Sequence, residues 1–128
     1  MARLLLLCLL VAGCSRQAAP LVSPSGAYSV ATEISGDEAG PTRRLCVRLR
    51  VTDLVASREI TFQTGASDVQ KWAAAWSSSN ALVLYSSDIG TMAYDIKDGR
   101  VTERVPAAAE LEVGRKAYQQ KYGSRPRD

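Results

Sequence analysis

The residues able to do chemistry in this chain are carboxylates, arginines, aromatics and three cysteines, with no histidine among its 128 residues. Without imidazole there can be no Ser-His or Cys-His nucleophile pair and no His-bearing zinc site. Carboxylates remain as candidate general acids and bases. Glu33, Asp37, Glu38, Asp53, Asp88, Asp95 and Asp98 all fall in or beside turn-forming stretches. Asp in such places bonds local backbone N–H groups, and no spacing singles out a catalytic pair. Ser35-Gly36-Asp37-Glu38 is a poor match to a calcium loop, which needs oxygen ligands at alternating positions. Arg44, Arg48 and Arg50 share one parity of a strand-like run and form a candidate site for an anion or a carboxylate-bearing partner. The competing expectation is that these arginines pair across strands with Glu33 and Glu59. Trp72, Trp76, Tyr85 and Tyr94 can line a groove for a sugar or peptide, or fill the core of a small sheet domain. No phosphate-binding loop, nucleotide fingerprint or Cys-x-x-Cys motif occurs, so no cofactor or metal is expected.

The first fourteen residues have their own pattern. Met1-Ala2-Arg3 is a basic start, Leu4 to Ala12 is uninterruptedly apolar, and Gly13-Cys14 follows. This is the layout of an export signal, and the run is shorter than the roughly 20 apolar residues of a spanning helix. Leu10-Val11-Ala12-Gly13-Cys14 resembles the lipobox of bacterial lipoproteins: an aliphatic residue, two small residues, then cysteine. The resemblance implies that residues 1–13 are a cleaved signal peptide, that Cys14 carries a diacylglyceryl group, and that in many bacteria its new amine is acylated too. Two or more acyl chains hold a small domain on a membrane, where one does so marginally. Ser15 in place of Asp after the cysteine implies, by the same resemblance, an outer-membrane location facing the periplasm in a Gram-negative cell. Residues 14–22 show no periodicity and read as a lipidated tether; residues 15–22 reach at most about 26–29 Å. With Cys8 lost and Cys14 acylated, Cys46 is a lone thiol that cannot make an internal disulfide, and it is expected to be buried. The formal charge of +3 falls by one with Arg3, so nucleic acid is not an expected partner.

These residues must be positioned by a β-rich body. Residues 23–105 alternate turn signals with short strand-like runs, the pattern of an antiparallel β domain. Tyr28, Val30 and Ile34 fall on one face, and Leu45, Val47, Leu49 and Val51 alternate with Arg44, Cys46, Arg48 and Arg50. Residues 71–76 are ambiguous between helix and strand. Ala81 to Tyr85 is continuously apolar, as in a strand covered on both faces. Asp98-Gly99 is a strong hairpin signal. A repeat runs through this region. Ser23-Pro24-Ser25-Gly26 and a later Val51-Thr52-Asp53-Leu54 correspond to Ser77-Ser78-Ser79-Asn80 and Ala93-Tyr94-Asp95-Ile96, with a longer loop in the first copy.

That grammar resembles single blades of β-propeller repeats. Propellers need about four to eight blades, and the chain has material for two. The expected fold is therefore mainly β: a small antiparallel sandwich or meander of two blade-like units with a short C-terminal α-helix. The helix is expected within residues 106–128, between Pro106 and Gly123, with Glu112 and Lys116 paired and a stripe of Leu111, Tyr118 and Tyr122 interrupted by Gly114. The function expected is a non-catalytic binding or structural module of the cell envelope, using a sheet surface or an exposed strand edge. The alternatives are a membrane-tethered carboxylate-dependent hydrolase and a module contacting lipid or glycan.

Overall fold

The computed structural model describes residues 19–35 and 45–126. The signal segment 1–13, Cys14 with most of the tether, the glycine-containing loop after Ser35 and Arg44 lie outside the described residues.

The described residues form two four-stranded antiparallel sheets and a C-terminal helix. The first sheet runs β1 (Leu21–Val22), β2 (Tyr28–Ser35), β3 (Cys46–Asp53) and β4 (Arg58–Ser67) in sequence order. The second repeats the up-and-down order with β5 (Trp72–Trp76), β6 (Leu82–Ser86), β7 (Gly90–Lys97) and β8 (Arg100–Arg104). Residues 72–76 thus resolve as strand, because pairing with β6 covers a run too short to make a stable helix.

The alternation in β3 is realised as expected: Val47, Leu49 and Val51 are fully buried, while Cys46, Arg48 and Arg50 are half-buried between them. These valines and leucine meet Leu82, Leu84 and Tyr94 of the second sheet in one core. Phe62 packs on Tyr94 with ring centroids 5.0 Å apart, and Tyr28 stacks on Trp76 at 6.3 Å. Near the start of β3, β4 carries extra residues, and the buried Thr64 hydroxyl donates to the Val47 carbonyl at 2.7 Å, supplying a bond the ladder loses there.

The repeat is visible in its turns. The Ser23 hydroxyl accepts the Tyr28 N–H and meets the Ser25 hydroxyl; the Ser77 hydroxyl accepts the Ala81 N–H and meets the Ser79 hydroxyl. The two turns touch, since the Ser25 N–H donates to Asn80 Oδ1 at 2.9 Å. The two aspartates do not correspond. Tyr28 opposes Asp53, whereas Leu82 opposes Tyr94, so Asp95 lies one residue out of step. Asp53 ends β3 on the buried side and accepts the Val55 and Ala56 N–H groups; Asp95 lies inside β7, not in a turn, and is exposed. One step along a strand changes the face, which is why similar tetrapeptides have different roles.

The helix α1 (Ala108–Tyr122) lies across the second sheet, on the face away from the first. It explains the continuous apolar run in β6, which is covered by the other sheet on one side and by α1 on the other. Gly123 closes it in the left-handed conformation, φ 71°, with its N–H on the Gln119 carbonyl. The buried face is Glu110, Gly114, Ala117 and Tyr118; of the stripe read from sequence, Tyr118 is buried and Leu111 and Tyr122 are half-buried. Gly114 is a contact point and no interruption: a Cβ there would lie 3.1 Å from Thr91 Cγ2 and 3.3 Å from Tyr85 Cβ, so glycine permits the close approach. Glu112 pairs with Arg115 at 2.6 Å, one residue short of the expected Lys116.

Candidate functional site

Each sheet has an edge on the side of β1 and β5, and those edges flank a groove of about 680 Å³. Its floor is small, formed by Ala73, Ala74, Ala75 and Ala117; its walls include Trp72, Leu21, Val30 and Thr32; Glu33, Gln120 and Lys121 lie on the rim. Such a volume suits a ligand, but there is no convergent set of titratable groups inside it.

The main chain is the most informative part of the groove. Trp72 sends its N–H to the Tyr122 hydroxyl at 3.1 Å, and its carbonyl accepts from that hydroxyl and from Lys121 Nζ, both at 2.9 Å. Lys121 also stands 3.5 Å from the Trp72 ring centroid. The end of α1 therefore caps the edge of β5 at Trp72. In a strand, alternate residues direct their backbone groups to the same side. Ala74, two residues on, consequently aims its N–H and C=O at the groove. On the opposite wall β1 pairs with β2 only through Leu21–Val30 and Val22–Ser29, so β2 continues past it to Ser35 without a described neighbour on that side. The Tyr28 carbonyl accepts the Ser23 N–H on the β1 side, and by the same alternation Thr32 and Ile34 direct their backbone groups there. Among the described residues, two strand edges without a strand partner thus face one apolar groove. The indole Nε1 of Trp76 donates to the Leu21 carbonyl at 2.9 Å and holds β1 against β5 at the closed end.

The residues singled out from sequence are not brought together. Arg44 and Cys14 lie outside the described residues. Arg50 bonds Glu33 and is 3.7 Å from Glu59, while Arg48 is half-buried directly across from Glu33. Of the described part of the arginine face, Arg50 is therefore compensated by its own sheet. Of the aromatics, Tyr94 is in the core and Tyr85 lies under α1, edge-on to Tyr118 at 5.0 Å. Burial, followed by the Glu103 carboxylate, raises the Tyr94 phenol well above its ordinary range. Trp72 is on the groove wall. Cys46 is half-buried at the start of β3.

The carboxylates have structural partners. Burial works against the charged form of Asp88, but the Ser86 hydroxyl and the N–H groups of Ser67, Asp88 and Ile89 lower it below its ordinary value. Asp95 and Glu110 share Arg104, which reaches Asp95 Oδ2 through Nε and both Glu110 oxygens through its two terminal nitrogens, each at 2.7 Å. Among the described residues no three of Cys, Asp and Glu gather as a metal site requires, and no helix is long and apolar enough to cross a membrane.

Sequence periodicity missed the groove because its components are ordinary alone: alanines in a short strand, a two-residue strand in what reads as a tether, and a lysine at a helix end. The one usable signal was the pair of tryptophans in β5. Compared with family models, with curated proteins and with solved structures, the chain matches none.

Proposed function

We propose that this is a small lipid-anchored protein of the bacterial cell envelope, acylated on Cys14, whose β domain is a non-catalytic binding or structural module. The observation that carries the binding element is the apolar groove flanked by two open strand edges. Such edges take up an extended polypeptide by adding it as a strand: main-chain bonds supply affinity, and the groove walls supply selectivity. The alanine floor favours a segment that lies close to the sheet. Acyl attachment at Cys14 rests on Leu10-Val11-Ala12-Gly13-Cys14. Ser15 favours the outer membrane, facing the periplasm. The hydrolase reading is disfavoured because the acids facing Arg50, Arg104 and the turns already have structural partners.

The test is metabolic labelling with a radioactive fatty acid, followed by fractionation. Wild type should carry label and sediment with membranes, and Cys14→Ala should lose at least tenfold of both signals. Equal labelling of the two proteins, or a freely soluble wild type, would sink the proposal.

A further inference from the structure

We infer that one end of the second sheet is a docking surface for an anionic lipid bilayer. Val69 and Ile89 enter the headgroup boundary, and Lys71 and Lys121 meet the phosphates beside them. The inference deepens the membrane element of the proposed function and rests on the acylation reading for one of its arguments, the length of the tether.

Two turns build this end, one after β4 and one between β6 and β7, and they brace each other. The Ser67 N–H donates to Asp88 Oδ2 at 3.0 Å, the Ser87 N–H to the Lys71 carbonyl at 3.0 Å, and the Ser87 hydroxyl to Gln70 Oε1 at 3.3 Å. On this braced tip Val69 is 81% exposed and Ile89 39%. The Lys71 and Lys121 ammonium groups stand 5.4 and 5.3 Å from the Tyr122 ring centroid, so the last turn of α1 brings a second cation to the same place. Aliphatic side chains among lysines are suited to a membrane interface, where the former bury at the acyl boundary and the ammonium groups stay with the headgroups.

Charge and tether length favour a bilayer over a protein partner or a second copy. Residues 113–126 contain no Asp or Glu, and Lys116 and Arg125 add exposed cations on the adjoining outer face of α1. Among the described residues no carboxylate lies within ion-pair distance of Lys71, Lys116, Lys121 or Arg125. The acids of the tip are engaged within it: Asp68 keeps one oxygen fully buried, and Asp88 accepts from the Ser86 hydroxyl and the Ser67 N–H. Such a surface is drawn to anionic headgroups, with an attraction that fades beyond a Debye length. Ala19 lines the same groove as Trp72 and Lys121. The five residue steps from Cys14 to Ala19 span at most about 17–18 Å. An acyl group on Cys14 therefore holds this end of the domain close to the bilayer, and the tip supplies a second signal beside the lipid.

Residue-resolved acetylation of lysines tests this, with the purified full-length protein in phosphatidylcholine vesicles with and without roughly one-third phosphatidylglycerol. Phosphatidylglycerol should slow labelling of Lys71 and Lys121 by about fivefold or more, and salt at about 0.5 M should reverse much of that protection. Lys97, exposed in the hairpin at the opposite end of β7, should label equally in both vesicles. Val69→Asp changes a side chain that packs on little, so it should keep the wild-type melting temperature and lose the protection. Equal labelling of Lys71 and Lys121 in the two vesicles would overturn the inference. So would protection that persists in Val69→Asp, or protection without vesicles that grows with protein concentration, since a second copy would then cover the tip. The mass of the peptide bearing Cys14 in the same samples reports acylation separately. Absent acylation with protected lysines removes the anchor and keeps the docking surface; acylation with unprotected lysines does the reverse.

Discussion

At Glu110 a carboxylate that is only 4% exposed is met by both terminal nitrogens of Arg104 and by the Ala107 N–H at 2.8 Å. Arg104 is the main reason its carboxyl titrates below the ordinary 4.5; burial opposes the shift, and the Ala107 N–H adds to it. A carboxyl lowered by folding contributes stability that is complete above the unfolded value and is lost as pH falls through the folded one. Acidification from about 4.5 downward should therefore lower the melting temperature of wild type. Glu110→Gln should flatten that part of the profile and, near neutrality, melt several degrees lower, because a neutral amide cannot match a bidentate carboxylate. Melting temperatures of both proteins across pH 3–7 check this; parallel curves would contradict it. A glutamate in the first helical turn was legible from sequence. Its arginine was not, since Arg104 reaches it only after the chain turns from β8 into α1.

At the level of elements, legibility followed how far one strand decides its own environment. The β3 alternation, the apolar β6 run and the Asp98-Gly99 hairpin each depend on local pattern. In the last, both residues adopt positive φ, 51° and 75°, as a tight two-residue turn requires. On α1 the stripe placed Tyr118 and Tyr122 against the sheet, but Gly114 was misread as an interruption, because its role is set by how closely the helix approaches β6 and β7. β1 was read as tether, because two residues carry no periodicity; partners on β2 and β5 make it a strand. Trp76 is the residue that joins β1 to the second sheet. Trp76→Phe keeps the ring but loses the bond to the Leu21 carbonyl, at a cost of about 1 kcal/mol. A lower urea midpoint together with faster exchange at the Val30 amide, which faces β1, is the expected outcome. A lower midpoint with unchanged Val30 exchange would mean that β1 is held by other contacts.

Across the whole molecule, the two sheets are one folding unit, because Val47, Leu49 and Val51 share their core with Leu82, Leu84 and Tyr94. Neither sheet can shed its partner without exposing this surface. Leu84→Ala should destabilise by roughly 2–5 kcal/mol, and Phe62–Tyr94 near-ultraviolet signals should be lost together with helical signal in a single transition. Separate transitions for the two sheets would refute the shared core. By itself the sequence determined the exclusion of histidine chemistry, the two-unit β architecture and the terminal helix. All of these are written in local composition or short-period alternation. Only the tertiary structure decided that the duplicated aspartates face opposite ways, that Arg50 is compensated by Glu33 and Glu59 of its own sheet, and that, among the described residues, two strand edges without a strand partner flank an apolar groove. Those features depend on which distant backbones become neighbours, and no local pattern encodes that.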